Sequence, residues 1–214
     1  TGNLAVAVGS GAMGNAGNAG AQGNVAVGFN ALNNVTSPNN VAVGNNALAA
    51  MTNGLAIGIG YQAAKALTTT QAVIAIGSNS LAAITTGGTG ATVVGYDALA
   101  VATNPAGSAV FGFRAGWKVT TAANNTLLGN YAGSEITTGN NNTIVGRWVG
   151  TAALDGVVAL SDGAGLLRAY FNNTGALSFD GTNFGNAGQV LSSNGSGAAP
   201  TWADASSLSA ATPL

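Results

Sequence analysis

Six carboxylates and five cations carry all the side-chain charge of this chain, and its 214 residues include no cysteine and no histidine. Thiol chemistry, Cys/His zinc sites and imidazole acid–base catalysis are thereby excluded. The carboxylates are Asp97, Glu135, Asp155, Asp162, Asp180 and Asp204, and no two recur at a spacing suited to glycoside hydrolysis or a calcium cage. The cations Lys65, Arg114, Lys118, Arg147 and Arg168 form no run, so a nucleic-acid surface would lack its electrostatic footing. The expectation is a protein that is not an enzyme and that uses no cofactor and no metal.

What remains for recognition is aromatic. Phe29, Tyr61, Tyr96, Phe113, Tyr131 and Trp148 recur at related positions of a repeat, while Trp117 and Trp202 stand alone. Aromatic faces accept sugar rings, and Arg114, Lys118 and Arg147 bracket several of them. Ligand contact is therefore expected at Tyr96, Phe113, Arg114, Trp117, Lys118, Arg147 and Trp148. The competing reading is that these rings pack coil corners or a seam between chains.

Such residues need a scaffold, and the composition limits its type. A net charge of −1 with 47% hydrophobic residues is too apolar for disorder. No apolar run approaches the roughly 18–20 residues that span a bilayer, so no membrane insertion is expected. The 34 glycines are about twice the ordinary share of about 7%, which disfavours helix and suits turns with positive φ. The chain starts at Thr1 without a methionine or leader, so it is expected to be a fragment or processed product.

The repeat supplies the scaffold. Segments such as VAVGFNAL, VAVGNNAL, IAIGSNSL, TVVGYDAL and TIVGRWVG align on Gly9, Gly28, Gly44, Gly60, Gly77, Gly95, Gly112, Gly129 and Gly146. The gaps are 19, 16, 16, 17, 18, 17, 17 and 17 residues. A coil of that length is too short for a βαβ unit of about 30 residues. It fits two or three short strands joined by turns, with successive coils stacking as parallel strands about 4.8 Å apart into a rod of roughly 40 Å. The registered glycine is expected to turn the corner between strands. Three residues after it stands a small residue in most copies (Ala31, Ala47, Ala63, Ser80, Ala98, Ala115, Ala132), as a narrow interior requires.

Two polar columns support the register. Threonine recurs eight residues after the glycine at Thr36, Thr52, Thr68, Thr85, Thr103, Thr120 and Thr137. Asparagine stands four before it at Asn24, Asn40, Asn125 and Asn142, with Ser108 in a further copy. Both read first as ladders that satisfy the turns and second as a strip facing a repetitive ligand. The residues one and three before the glycine are β-branched in most copies and are expected to face inward. The residue two before it is small at first (Ala7, Ala26, Ala42, Gly58, Ala75) and large later (Val93, Val110, Leu127, Ile144). It is expected to face outward and to be covered by further copies of the chain.

Beyond Gly150 the pattern changes. Val157–Phe179 carries hairpin signals at Asp162-Gly163 and Asn173-Thr174-Gly175, and residues 185–202 are Gly/Ser-rich. The expected organisation is a repeat region over 1–150, a β-hairpin or meander junction over 151–184, and a Gly/Ser-rich segment over 185–214 whose last dozen residues are mobile.

The repeats NVAVGFNALNNVTSPNNVAVGNNAL and NNTLLGNYAGSEITTGNNNTIVGRWVG resemble the β-roll heads of trimeric autotransporter adhesins and, equally, the shafts of bacteriophage tail fibres. The resemblance covers about residues 3–150. It implies an all-β fold: a left-handed parallel β-roll (β-solenoid) of about nine coils, homotrimeric, followed by a small meander. The adhesin repeat is nearer fourteen residues, which implies longer outer loops here. The segment GNAGQVLSSNGSGAAPTW is similar to one common in distal parts of tail fibres and favours that reading. The resemblance implies a virion or otherwise extracellular location, with the bacterial surface as the alternative. The partners it implies are the chain's own copies, other fibre or tail proteins, and a host-surface glycan or protein. A depolymerising tailspike would need paired carboxylates in a groove, whereas the coils hold only Asp97 and Glu135, in different copies. An ice-binding solenoid would need a regular Thr-x-Thr face, which the Thr column lacks.

Overall fold

The computed structural model describes residues 4–16 and 22–207. The segment 208–214, within the terminal stretch expected to be mobile, lies outside the described residues.

One twelve-stranded sheet dominates, and its spatial order is its sequence order. The rungs are β1 (Val6–Val8), β2 (Val25–Val27), β3 (Val41–Val43), β4 (Asn53–Ile59), β5 (Thr69–Ile76), β6 (Thr92–Val94), β7 (Ala109–Phe111), β8 (Thr126–Leu128) and β9 (Thr143–Val145). All nine pair in parallel and in register, coil on coil. This is an all-β solenoid. Most coils contribute one three-residue strand, and the rest of the coil is turn. Only β4 and β5 extend further, with an irregularity between Gly54 and Ala56.

The ladder runs one rung past the glycine register. β10 (Val158–Ser161) pairs in parallel with β9 and sets Ser161 where a glycine would recur. β11 (Leu167–Phe171) then turns back antiparallel, followed by β12 (Leu177–Ser178), which gives the expected meander. β13 (Gln189–Ser192) and β14 (Thr201–Asp204) form a separate antiparallel hairpin over the Gly/Ser-rich segment.

The registered glycines form a column in which backbone touches backbone. All nine hold φ between 106° and 150°, where a side chain is strained. A Cβ on Gly28 would lie 2.6 Å from the carbonyl oxygen of Gly44, and one on Gly9 would lie 2.7 Å from that of Gly28. After each glycine the chain alternates into the left-handed region, as at Asn46 (φ 54°) and Leu48 (φ 50°). The alternation sends hydrogen bonds both ways: Asn46 N–H donates back to Phe29 O at 2.8 Å, and Leu48 N–H donates forward to Ala63 O at 3.0 Å. A left-handed leucine is uncommon, and here two neighbouring coils hold it in place.

The strand faces are the reverse of the sequence expectation. The middle residue of each rung, from Ala26 through Ala42, Ala75, Val93, Val110, Leu127 and Ile144 to Ala159, is fully buried. Its two neighbours point outward: Val8, Ile59, Phe111, Val145 and Leu160 are all exposed. The drift from small to large along the middle column is therefore interior packing and has nothing to do with an outer seam. A Cβ on Gly58 would meet Leu48 Cγ at 2.7 Å, and one on Gly133 would meet Leu127 Cδ2 at 2.8 Å. In the coils of Ala26, Ala42 and Ala75, a leucine four residues after the glycine (Leu32, Leu48, Leu81) fills the interior. Where the strand residue is Leu127, glycine takes that place. The small residues three after the glycine are buried, as expected, and Val35, Met51, Leu67, Ile84, Val119 and Ile136 complete the core.

Two substitutions test this interior. Gly44→Ala combines a forbidden φ with a backbone clash and should cost about 3 kcal/mol or more in denaturant unfolding. Gly163→Ala, with open space around it, should leave the midpoint unchanged. Gly58→Ala should be destabilising alone and nearly free in a Leu48→Ala background. A double-mutant cycle showing no coupling between the two would contradict the packing described.

Candidate functional site

The polar columns are structural. Asn24, Asn40, Asn125 and Asn142 are buried, and each side-chain oxygen accepts the backbone N–H that opens the next rung: Asn40 N at 2.7 Å, Ala56 N at 2.7 Å, Asn142 N at 3.0 Å and Val157 N at 3.2 Å. Their amides donate inward, Asn125 Nδ2 to Gly139 O and Asn142 Nδ2 to Leu154 O. Ser108 serves in the same way, accepting from Asn125 N. The threonine hydroxyls of Thr36, Thr52, Thr68, Thr103, Thr120 and Thr137 donate to the backbone carbonyl of the next coil at 2.6–3.0 Å. Thr85 accepts from Thr68 in this column. These hydroxyls run as a ladder along the stack, each donating to the turn of the next coil.

The aromatic surface begins with residues that directly follow the glycine column. Phe29, Tyr61, Tyr96 and Phe113 are all exposed. Tyr96 and Phe113 lie one coil apart and stack, with centroids 5.4 Å apart and planes 10° from parallel. Tyr131 meets Phe113 edge-on at 5.4 Å. Arg114 lies 5.2 Å from the Phe113 centroid and 4.8 Å from that of Trp117, and pairs with Asp97 at 3.4 Å. The Tyr131 phenol oxygen, with Asp97 adding to it, holds the Arg114 guanidinium above its usual pKa. Lys118 pairs with Glu135 at 2.7 Å. In this part of the candidate set, rings face rings and each charge has an opposite neighbour.

Arg114 (φ 52°) and Tyr131 (φ 59°) occupy the left-handed position that other coils fill with Asn30, Asn46, Asn79 or Asp97. Asparagine and aspartate tolerate that conformation, whereas other L-residues lose about 1–2 kcal/mol there.

Arg147 and Trp148 sit one coil further on, in a different environment. Trp148 meets Tyr170 of β11 edge-on at 5.5 Å, and Tyr170 meets Phe184 at 5.9 Å. Sequence reasoning missed Tyr170 and Phe184, because both lie beyond the repeat. Trp148 lines two open depressions. One, of about 440 Å³, is walled by Tyr131, Ser134, Glu135, Arg147, Val149, Ala164 and Gly165. The other, of about 410 Å³, is walled by Leu166, Leu167, Arg168, Phe179 and Asp180 together with Gly165. Arg147 lies 6.0 Å from the Tyr131 centroid. The seven candidate residues thus divide into a self-paired patch (Tyr96, Phe113, Arg114, Trp117, Lys118) and an open corner (Arg147, Trp148).

Among the described residues no group of three or more Asp or Glu side chains comes together, and no helix is long and apolar enough to cross a membrane. Comparison of the chain with protein-family profiles, curated proteins and solved structures finds no match.

Two carboxylates beside the open corner, half-buried Asp162 and exposed Asp180, organise its loops. Asp162 is held below its usual pKa by the Arg168 guanidinium and by the backbone donors of Leu166 and Ala164. Asp180 is held well below the carboxylate range by the N–H groups of Asn183 and Thr182 and the hydroxyls of Ser178 and Thr182. A carboxylate with a depressed folded pKa stabilises above its unfolded value, and that contribution is lost as pH falls through the folded one. Thermal stability should therefore stay flat from about pH 8 to about pH 5 and decline only below about pH 4. A melting temperature already at its acid limit by about pH 4 would contradict these carboxylate environments.

Proposed function

We propose that this chain is a non-enzymatic fibre segment of a bacteriophage tail, with three copies in a left-handed roll sharing an axis parallel to the rod. It supplies reach and presents a binding surface to the host. The observation that carries this reading is the outward apolar stripe. Two columns, Val8-Val27-Val43-Ile59-Ile76-Val94-Phe111-Leu128-Val145-Leu160 and Val6-Val25-Val41-Ile57-Ile74-Thr92-Ala109-Thr126-Thr143-Val158, run side by side over ten rungs. At about 4.8 Å per rung the stripe is about 43 Å long. It adjoins an apolar recess of about 570 Å³ lined by Leu55, Ile57, Ala72, Val73 and Ile74. Contiguous apolar surface on this scale is uncommon on a monomer and is the mark of an interface.

The sizes along the stripe favour copies of the same chain, level with one another. Phe111, the bulkiest residue of one column, shares its rung with Ala109, the smallest of the other. A rotation axis parallel to the rod brings equal rungs together and sets one column of each chain against the other column of its neighbour. Phenylalanine then meets alanine at the same height. An antiparallel pairing would generally set Phe111 against a different rung. Tail fibre is favoured over adhesin head by the likeness of residues 185–202 to distal fibre segments.

The solution mass should be about three times the 20.5 kDa of the chain by light scattering. Phe111→Lys, at a side chain exposed in the single chain, should reduce the mass to one chain while the β-rich circular dichroism is retained. A monomeric parent protein, or a variant whose mass is unchanged, would overturn the assembly.

A further inference from the structure

The geometry points to a carbohydrate subsite at the open corner, with Trp148 as the ring platform and Arg147 as the partner for an acidic sugar. The inference rests on the binding role proposed above and adds the chemistry and place of the ligand.

Charge distribution singles out this corner. Arg114, Lys118 and Arg168 each face a carboxylate, at Asp97, Glu135 and Asp162 respectively, and Lys65 donates to Gln62. Arg147 has no carboxylate partner among the described residues; its guanidinium lies over Tyr131 at the mouth of the depression. An exposed guanidinium with free donors matches a carboxylate geometrically and can bind it in a bidentate manner. Glu135, the one carboxylate lining that depression, is engaged by Lys118, so it does not use the donors of Arg147.

Ring faces divide in the same way. The faces of Tyr96 and Phe113 are turned on one another, and Arg114 covers Phe113 and Trp117. Trp148, half-buried against the core, meets Tyr170 with ring planes 73° apart and borders open depressions that flank it. Its backbone is fixed from two coils: its N–H donates to Ser161 Oγ at 2.9 Å and its carbonyl accepts from Gly133 N at 2.9 Å. A platform held by the ladder is pre-organised, so little ordering cost opposes binding. Two depressions sharing one ring suit a chain of at least two sugar units, with the acidic unit on the Arg147 side.

The test uses the full chain and two probes, trigalacturonate and the neutral maltotriose, titrated while tryptophan fluorescence is followed. Saturable binding of trigalacturonate is expected. It should weaken with added salt and fall at least tenfold in Arg147→Gln, with Lys65→Gln, several coils away, as an unaffected control. Trp148→Ala should abolish the optical response; Arg147→Gln, at an exposed side chain, covers the case in which that variant does not fold. Equal binding of the two probes, no binding of either, or an Arg147→Gln variant indistinguishable from the parent would overturn the site. Light scattering on the same samples separates the two proposals. A trimer that ignores trigalacturonate removes only the subsite, and a monomer that binds it removes only the fibre.

Discussion

Everything in the rod depends on how closely one coil approaches the next at the glycine column. There the backbone of each turn lies against the carbonyl of its successor, leaving no room for even one carbon. Nine positions are fixed to one residue type by that contact, and with them the height of every rung. The parallel register, the level Asn and Thr columns and the alignment of aromatic side chains from coil to coil all inherit that spacing. Ser161 marks the end of the constraint: the chain turns back after β10, a side chain fits again, and its hydroxyl ties Val145 and Trp148 together.

Inside the column a coil of about 17 residues encloses little volume, so its contents are conserved in sum and not position by position. Leucine after the turn is paired with a small strand residue, and Leu127 is paired with Gly116 and Gly133. Burying polar groups in so thin a core is tolerated only when they are satisfied. The asparagines meet that condition by bonding to both their own coil and the next. Because each contact is with an adjacent coil, stability accrues rung by rung, as in other solenoids.

The glycine, Thr and Asn columns were legible in the sequence because one residue type recurs at a fixed place, glycine in all nine coils, threonine in seven and asparagine in four. The direction of the strand faces was not legible from VAV or IAI, where all three residues are apolar and no alternation distinguishes inside from outside. The distinguishing signal lay elsewhere, in the exchange of volume between Leu48 and Gly58 or Leu127 and Gly133, which becomes visible only when two columns are read against each other. Ser161 concealed the tenth rung by breaking the glycine pattern. At the open corner the periodic signal reached Arg147 and Trp148 but stopped short of Tyr170 and Phe184, which come from the meander and obey no period.

The reversal of the faces strengthens the case for assembly while changing its basis. An outward column that began with alanine would have offered a thin seam, widening only in later coils. One of the actual outward columns carries valine, isoleucine, leucine or phenylalanine at every rung. The other does so except at Thr92, Ala109, Thr126 and Thr143, and both continue onto β10. A rod that consumed all its hydrogen-bonding capacity internally would still be left with this stripe. Neither the turn ladders nor the meander covers it, since both lie on other parts of the coil. In the assembly proposed above, mutual burial would remove the stripe from water and leave the turn sides outward, where the aromatic positions lie. On that proposal, the constraint that forces glycine at one corner would also separate the surface joining copies from the surface left for a ligand.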